Sequence, residues 1–220
     1  MAKNMPRITR SALTAVLACA VAAPTTSCSQ NFSKAQTGEQ QEQQANKITL
    51  VRRLEDLDNR TADHSTPDAI VYIAPGYDWR SPINLIIFNH GMMTNLEDVE
   101  QTWKISQAVQ AAPPNTVLIA PEWAQDPKAL SSKAGRFHQP GFFRNMLYEI
   151  FSKVPELKDR SIDRDVSQIT LASFSGGLYA LATELEKNGI KHKVKSIALF
   201  DSLYKTGVLD GWLKENVKAL

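Results

Sequence analysis

The chain has two cysteines, Cys19 and Cys28, and both fall within its first 28 residues. Beyond them there is no thiol, which excludes a disulfide framework and a cysteine-based metal site from the body of the protein. No sign of charge prevails either. Lys3, Arg7 and Arg10 are three of the 25 basic residues and the first 27 positions hold no acid, so 22 basic residues face 23 acidic ones beyond that point. A nucleic-acid binder would carry a basic stripe. The nearest approach to one, Lys191, Lys193 and Lys195, reads as a solvated loop. Phosphate loops are missing as well, since neither G-x-G-x-x-G nor G-x-x-x-x-G-K-[ST] occurs. The apolar run "SALTAVLACAVAA" is too short to cross a bilayer comfortably as a helix. No internal repeat is apparent.

What is present at the N-terminus reads as an export signal, with basic residues followed by that short run of small apolar ones. "TTSC" resembles the lipobox of bacterial lipoproteins, with Thr25 where Leu is usual. The resemblance implies lipidation at Cys28, while ordinary cleavage near Ala22 or Ala23 remains the alternative. Next comes "SQNFSKAQTGEQQEQQANK", rich in Gln and poor in large apolar residues. It cannot bury a core and reads as a flexible tether. The expected organisation is a signal peptide over 1–27, a tether over 28–46 and one folded domain over 47–220. The expected location is the periplasm or the membrane surface of a bacterial envelope, with a membrane contact only through the lipid.

From Lys47 the pattern alternates. "KITLVRRL" and "DAIVYIAP" read as early strands. "INLIIFNHG" and "TVLIAPEW" are continuous apolar runs, as expected of strands buried on both faces. Between them, Thr94 and Glu97 have capping-box spacing ahead of a helix whose apolar face runs Leu96, Val99, Trp103, Ala108 until "APPN" breaks it. Further on, a helix through Phe143, Leu147, Ile150 and Val154 precedes the strand "SQITLASFS". A helix with Leu178, Leu181, Ala182 and Leu185 on one face follows. "VKSIALFDSLY" reads as a last strand and "GVLDGWLKENVKAL" as a last helix. Strands alternating with helices predict an α/β fold, a mostly parallel sheet of about six strands with helices on both faces.

Ser173, Phe174, Ser175, Gly176 and Gly177 crowd the junction of a buried strand and a helix, and His90-Gly91 ends an earlier strand. The order of these motifs resembles the α/β-hydrolase superfamily from about Asp68 onward. There a strand ends in His-Gly, and the nucleophile elbow G-x-S-x-G follows two strands later. Here Ser173 replaces the first Gly of the elbow. A tight turn between closely packed elements needs small residues two before and two after the nucleophile, and Ser173 and Gly177 satisfy that need. The resemblance implies Ser175 as nucleophile. It also implies Gly176 and Met92 as oxyanion N–H donors, with Gly91 in the oxyanion loop and His90 shaping that loop rather than acting as base. A different α/β fold in which small residues merely let helix and strand pack is the alternative.

The acid of a hydrolase triad stands at the end of a later strand. Asp201 occupies such a position, one strand earlier than in most members of the family; it could instead cap the turn into the last helix. Asp210 lies inside the helical pattern. In the family's order a histidine follows the acid, yet no histidine follows Asp201. His192 belongs at the opposite end of the sheet. His138, in the loop "SSKAGRFHQPG" with Arg136 and Phe137 over the site, could reach Ser175 only by an unusual arrangement. With two fewer strands than the usual eight, the chain reads as a C-terminally shortened member. The expectation is an exported serine hydrolase-like protein acting on small-molecule esters or amides, weak for want of a base, with no metal or cofactor implied. The rival is a non-catalytic envelope binding protein on the same fold.

Overall fold

The computed structural model describes residues 47–51, 68–91, 94–122, 139–202 and 206–216. Six strands form one sheet: β1 (Lys47–Val51), β2 (Ala69–Ile73), β3 (Ile83–Asn89), β4 (Thr116–Pro121), β5 (Val166–Phe174) and β6 (Val194–Phe200). Their order across the sheet is β1-β2-β4-β3-β5-β6. β1 and β2 join antiparallel and β2 meets β4 antiparallel, whereas β4, β3, β5 and β6 run parallel. The mostly parallel α/β sheet expected from the alternation is therefore the observed one.

Alternate side chains of the strands serve two cores. Val71, Leu85, Ile87, Val117, Ile119, Ile169 and Leu171 face one side, which is covered by α3 (Phe142–Lys153), α5 (Leu178–Lys187) and Trp212 of α6 (Asp210–Asn216). Tyr72, Ile86, Phe88, Leu118 and Ala172 face the other, under α1 (Leu96–Gln101) and α2 (Ile105–Gln110). A further short helix, α4 (Ile162–Asp165), leads into β5. Two covered faces explain why β3 and β4 read as unbroken apolar runs.

The helix after β3 departs from expectation in two ways. Its cap is Asn95, whose side chain accepts from the Asp98 backbone while Asp98 reaches back to the Asn95 N–H, so the capping box lies one residue later than Thr94 and Glu97. Thr94 is engaged elsewhere, its hydroxyl donating to the Gly91 carbonyl at 2.5 Å. The helix also breaks in two at Lys104, which adopts a left-handed conformation with φ 49°. Glu100 holds the break together by accepting from Tyr72 Oη at 2.9 Å and from the Ser106 hydroxyl.

Parallel strands bring their C-terminal ends to one edge. The register pairs Asn89 with Ser173, and Phe174 with Phe200. The segments that leave β3, β5 and β6 there, starting at His90, Ser175 and Asp201, thus begin side by side.

Candidate active site

Ser175 is the first residue beyond β5, and its φ of 49° puts a non-glycine residue in the left-handed region. Such a backbone costs on the order of 1–3 kcal/mol and persists only where the surroundings over-determine it. The surroundings here are tight. Gly176 and Gly177 are buried and complete a short 3₁₀ turn that runs directly into α5. A Cβ added to Gly177 would lie 2.3 Å from the Asn89 carbonyl oxygen and 2.8 Å from that of His90. The elbow helix therefore touches the backbone of β3, and only glycine permits it. Ser173, two residues before Ser175, is fully buried, as a small residue in a closed junction should be.

Gly91 stands opposite. Its absent Cβ would meet the Phe174 ring at 2.9 Å and the Ser175 Cβ at 3.5 Å, so the loop after β3 lies directly against the serine. Phe174 in turn packs on Trp103 with ring centroids 4.8 Å apart, and Trp103 on Phe88 edge-to-face at 5.5 Å. The backbone N–H groups at the start of the turn and of α5 carry the positive end of the local peptide dipoles, which favours negative charge beside Ser175. Met92, the second expected oxyanion donor, lies outside the described residues, as do His138, Arg136, Phe137 and Cys28.

His90 is fully buried, and both of its ring nitrogens face oxygen atoms. Nδ1 lies 2.8 Å from the Gly91 carbonyl and 3.1 Å from the Thr94 hydroxyl; Nε2 lies 3.3 Å from Glu122 Oε1. Glu122 also accepts from the Leu96 N–H at the start of α1, and its own N–H donates to the Asp68 carbonyl. His90 is thus tied into the loop between β3 and α1. Glu122 was not anticipated. Its signal in the sequence is a lone acid directly after a buried strand, at the same sheet edge as His90-Gly91.

Asp201 directly follows β6, exposed and in a left-handed conformation with φ 48°. The turn that Asp201 could instead cap, residues 203–205, lies outside the described residues. Ser202 beside it is buried, with its hydroxyl 2.9 Å from the carbonyl oxygens of Ser173 and of Phe200. This ties the end of β6 to the residue that opens the elbow. Asp210 starts α6 and is exposed. His192 is exposed in the turn before β6, at the far end of the sheet. His64, the remaining histidine, lies outside the described residues.

Among the described residues no group of three His, Cys, Asp or Glu side chains could hold a metal ion. No described helix is long and apolar enough to cross a membrane. A cleft of about 690 Å³, lined by Tyr77, Trp79, Arg80, Glu156, Arg160 and Arg164, lies near the N-terminal ends of β3 and β5, at the sheet edge away from Ser175.

A mostly parallel sheet flanked by helices, with a strained serine between strand and helix and a His-Gly loop packed on it, is an α/β-hydrolase-like fold. One solved structure shares this fold. The chain is similar to the feruloyl esterase module from Clostridium thermocellum complexed with sinapinate, at TM-score 0.51 and 15% identity over 87% of this chain and 71% of that one. It is also similar to an S-formylglutathione hydrolase from Agrobacterium tumefaciens, at TM-score 0.46 and 12% identity over 86% and 67% of the two chains. A third is brefeldin A esterase, described as a bacterial homologue of human hormone-sensitive lipase, at TM-score 0.40 and 12% identity over 86% of this chain. The chain spans 45% of that esterase's length. No family model matches the chain, and no curated protein does.

Proposed function

We propose that the protein performs acyl transfer from a small-molecule ester to water, with Ser175 as nucleophile. The observation that carries this reading is the left-handed Ser175 pinned between Gly91 on one side and the Gly177–Asn89 contact on the other. Attack by Ser175 Oγ on an ester carbonyl would form a tetrahedral oxyanion beside the Gly176 amide and the loop after Gly91. Collapse would expel the alcohol and leave an acyl-serine for water to cleave. The feruloyl esterase neighbour supports ester over amide.

A serine hydroxyl is a weak nucleophile without a base to take its proton. His90 is engaged by Glu122, Gly91 and Thr94, and His192 sits at the other end of the sheet. In this reading Asp201 stands where an orienting acid belongs, the described histidines supply no base, and turnover is slow. An oxyanion hole alone gives on the order of 10³–10⁴-fold over water. That neither described histidine is placed to act as a base, one being engaged in the loop after β3 and the other lying at the far end of the sheet, also favours a second reading, a non-catalytic binding protein on this fold. Turnover of p-nitrophenyl acetate by the wild type, Ser175→Ala and His138→Ala decides. Slow turnover lost only in Ser175→Ala supports the reading, and turnover lost in both makes His138 the base. A rate that Ser175→Ala leaves unchanged rejects it.

The first 27 residues are proposed to export the chain and the following Gln-rich segment to tether it, with Cys28 as the lipid-bearing residue.

A further inference from the structure

Glu184 is an acid with no exposure at all, set in the elbow helix α5 seven residues beyond Gly177. Its Oε2 accepts from the Asn89 amide at 3.0 Å, and Asn89, the last residue of β3, is itself fully buried. Each side chain has one oxygen left over. Glu184 Oε1 and Asn89 Oδ1 are both buried without a hydrogen-bond partner among the described residues. Two orphaned acceptors facing an amide and a carboxyl are complementary if the carboxyl carries a proton. The amide N–H then donates to one carboxyl oxygen, and the acid O–H donates back to the amide oxygen. That reciprocal pair satisfies both groups, whereas a carboxylate would leave two acceptors and a charge unsatisfied in the core.

We propose that Glu184 is a positioning residue held as a neutral acid, whose reciprocal pair with Asn89 locks the elbow helix onto the end of β3 and so fixes Ser175 against the Gly91 loop. Asn89 is the residue whose carbonyl oxygen meets Gly177, and it pairs across the sheet with Ser173. One residue thus joins the acid, the closest approach of the helix and the strand that carries the elbow.

The electrostatics agree with the geometry. Burial pushes the Glu184 carboxyl up to about 8, against a smaller downward pull from the Asn89 hydrogen bond. The ionisable groups on this helix and on the elements packed against it are Tyr179, Glu186 and Lys187 of α5, His90 after β3, and Lys191, His192 and Lys193 of the turn before β6, and the shift is caused by burial and the Asn89 hydrogen bond. Because the folded value lies above the unfolded one of 4.5, the stabilisation is complete below about 4.5 and is lost progressively as pH rises to about 8.

The inference uses the proposed role of Ser175 for one readout only. Infrared spectroscopy of the wild-type chain, titrated from pH 6 to 10, should show the carbonyl stretch of a protonated carboxylic acid that disappears on the alkaline side of neutrality. Glu184→Gln should lack that band, and its thermal midpoint should be flat over the range in which the wild type falls. Fluorophosphonate labelling of Ser175 should be retained in Glu184→Gln, whose amide restores both hydrogen bonds, and reduced at least tenfold in Glu184→Ala. Absence of any acid band titrating above pH 6 in the wild type overturns the proposal, whether or not the variants fold. So do superimposable thermal profiles of the wild type and Glu184→Gln. Failure of Ser175 to label in every variant, with the band present, rejects the function of Ser175 and leaves the neutral acid standing.

Discussion

Replacing Gly177 by alanine adds one methyl group where the chain has no room for it. The new Cβ would sit 2.3 Å from the Asn89 oxygen, 2.9 Å from its carbonyl carbon and 2.8 Å from the His90 oxygen. Ordinary contacts begin near 3.4 Å, so about an ångström of movement is required, and the obstacles are all backbone. β3 cannot yield easily, because it lies between β4 and β5 and Asn89 is held in register with Ser173. Overpacking of this kind costs about 1–3 kcal/mol, occasionally more, and rigid obstacles argue for the upper end. Alanine's better helix propensity returns at most about 1 kcal/mol, since φ of −57° at Gly177 suits any residue. The net loss should be about 2 kcal/mol, or roughly 4–8 °C in the thermal midpoint of a domain this size. Gly211→Ala is the control: it stands in α6 with nothing within 4 Å of the added methyl, so it should stabilise by up to about 1 kcal/mol. Thermal melting by circular dichroism compares the two. If Gly177→Ala melts at or above the wild type, the helix does not rest on β3 and the elbow geometry is wrong.

Three further outcomes follow from the same site. Ser202→Ala removes the hydroxyl that ties β6 to the Ser173 carbonyl and should cost about 1 kcal/mol; Ser173→Ala, whose buried Oγ has no partner among the described residues, should be neutral or stabilising in the same melts. Glu122→Ala removes the carboxylate beside His90 Nε2 and the acceptor of the Leu96 N–H, and should cost about 1–3 kcal/mol in chemical denaturation, with slower labelling of Ser175. Cys28→Ser should move the protein from the membrane to the soluble fraction of expressing cells, and unchanged fractionation would remove the lipid from the account.

The strands were the most legible part of the fold. The runs at Ile83–Asn89, Thr116–Pro121 and Val166–Phe174 announce themselves because both faces are covered, and burial on two sides removes the polar alternation that blurs other strands. Local detail was harder. Thr94–Glu97 and Asn95–Asp98 both satisfy the spacing of a capping box, and the choice fell to Asn95 because the Gly91 carbonyl claims the Thr94 hydroxyl. Nor does the apolar spacing through Trp103 and Ala108 reveal the break at Lys104, which the contacts of Glu100 with Tyr72 and Ser106 stabilise from outside the helix. At the site, the small residues around Ser175 pointed to a closed turn. The partners that hold it did not stand out, because Glu122 and Glu184 become conspicuous only once burial is known. Glu184 did leave a trace: it lies three residues after Leu181, an acid within the apolar stripe of the elbow helix.

The central claim is that Ser175 is poised for attack on an electrophile. Incubating the full chain with a fluorophosphonate and mapping the adduct by peptide mass spectrometry tests it directly. The account predicts a slow, stoichiometric adduct on Ser175 that is lost in Ser175→Ala and on unfolding in urea. An unmodified Ser175, or an adduct spread over surface serines and unaffected by that substitution, would contradict it.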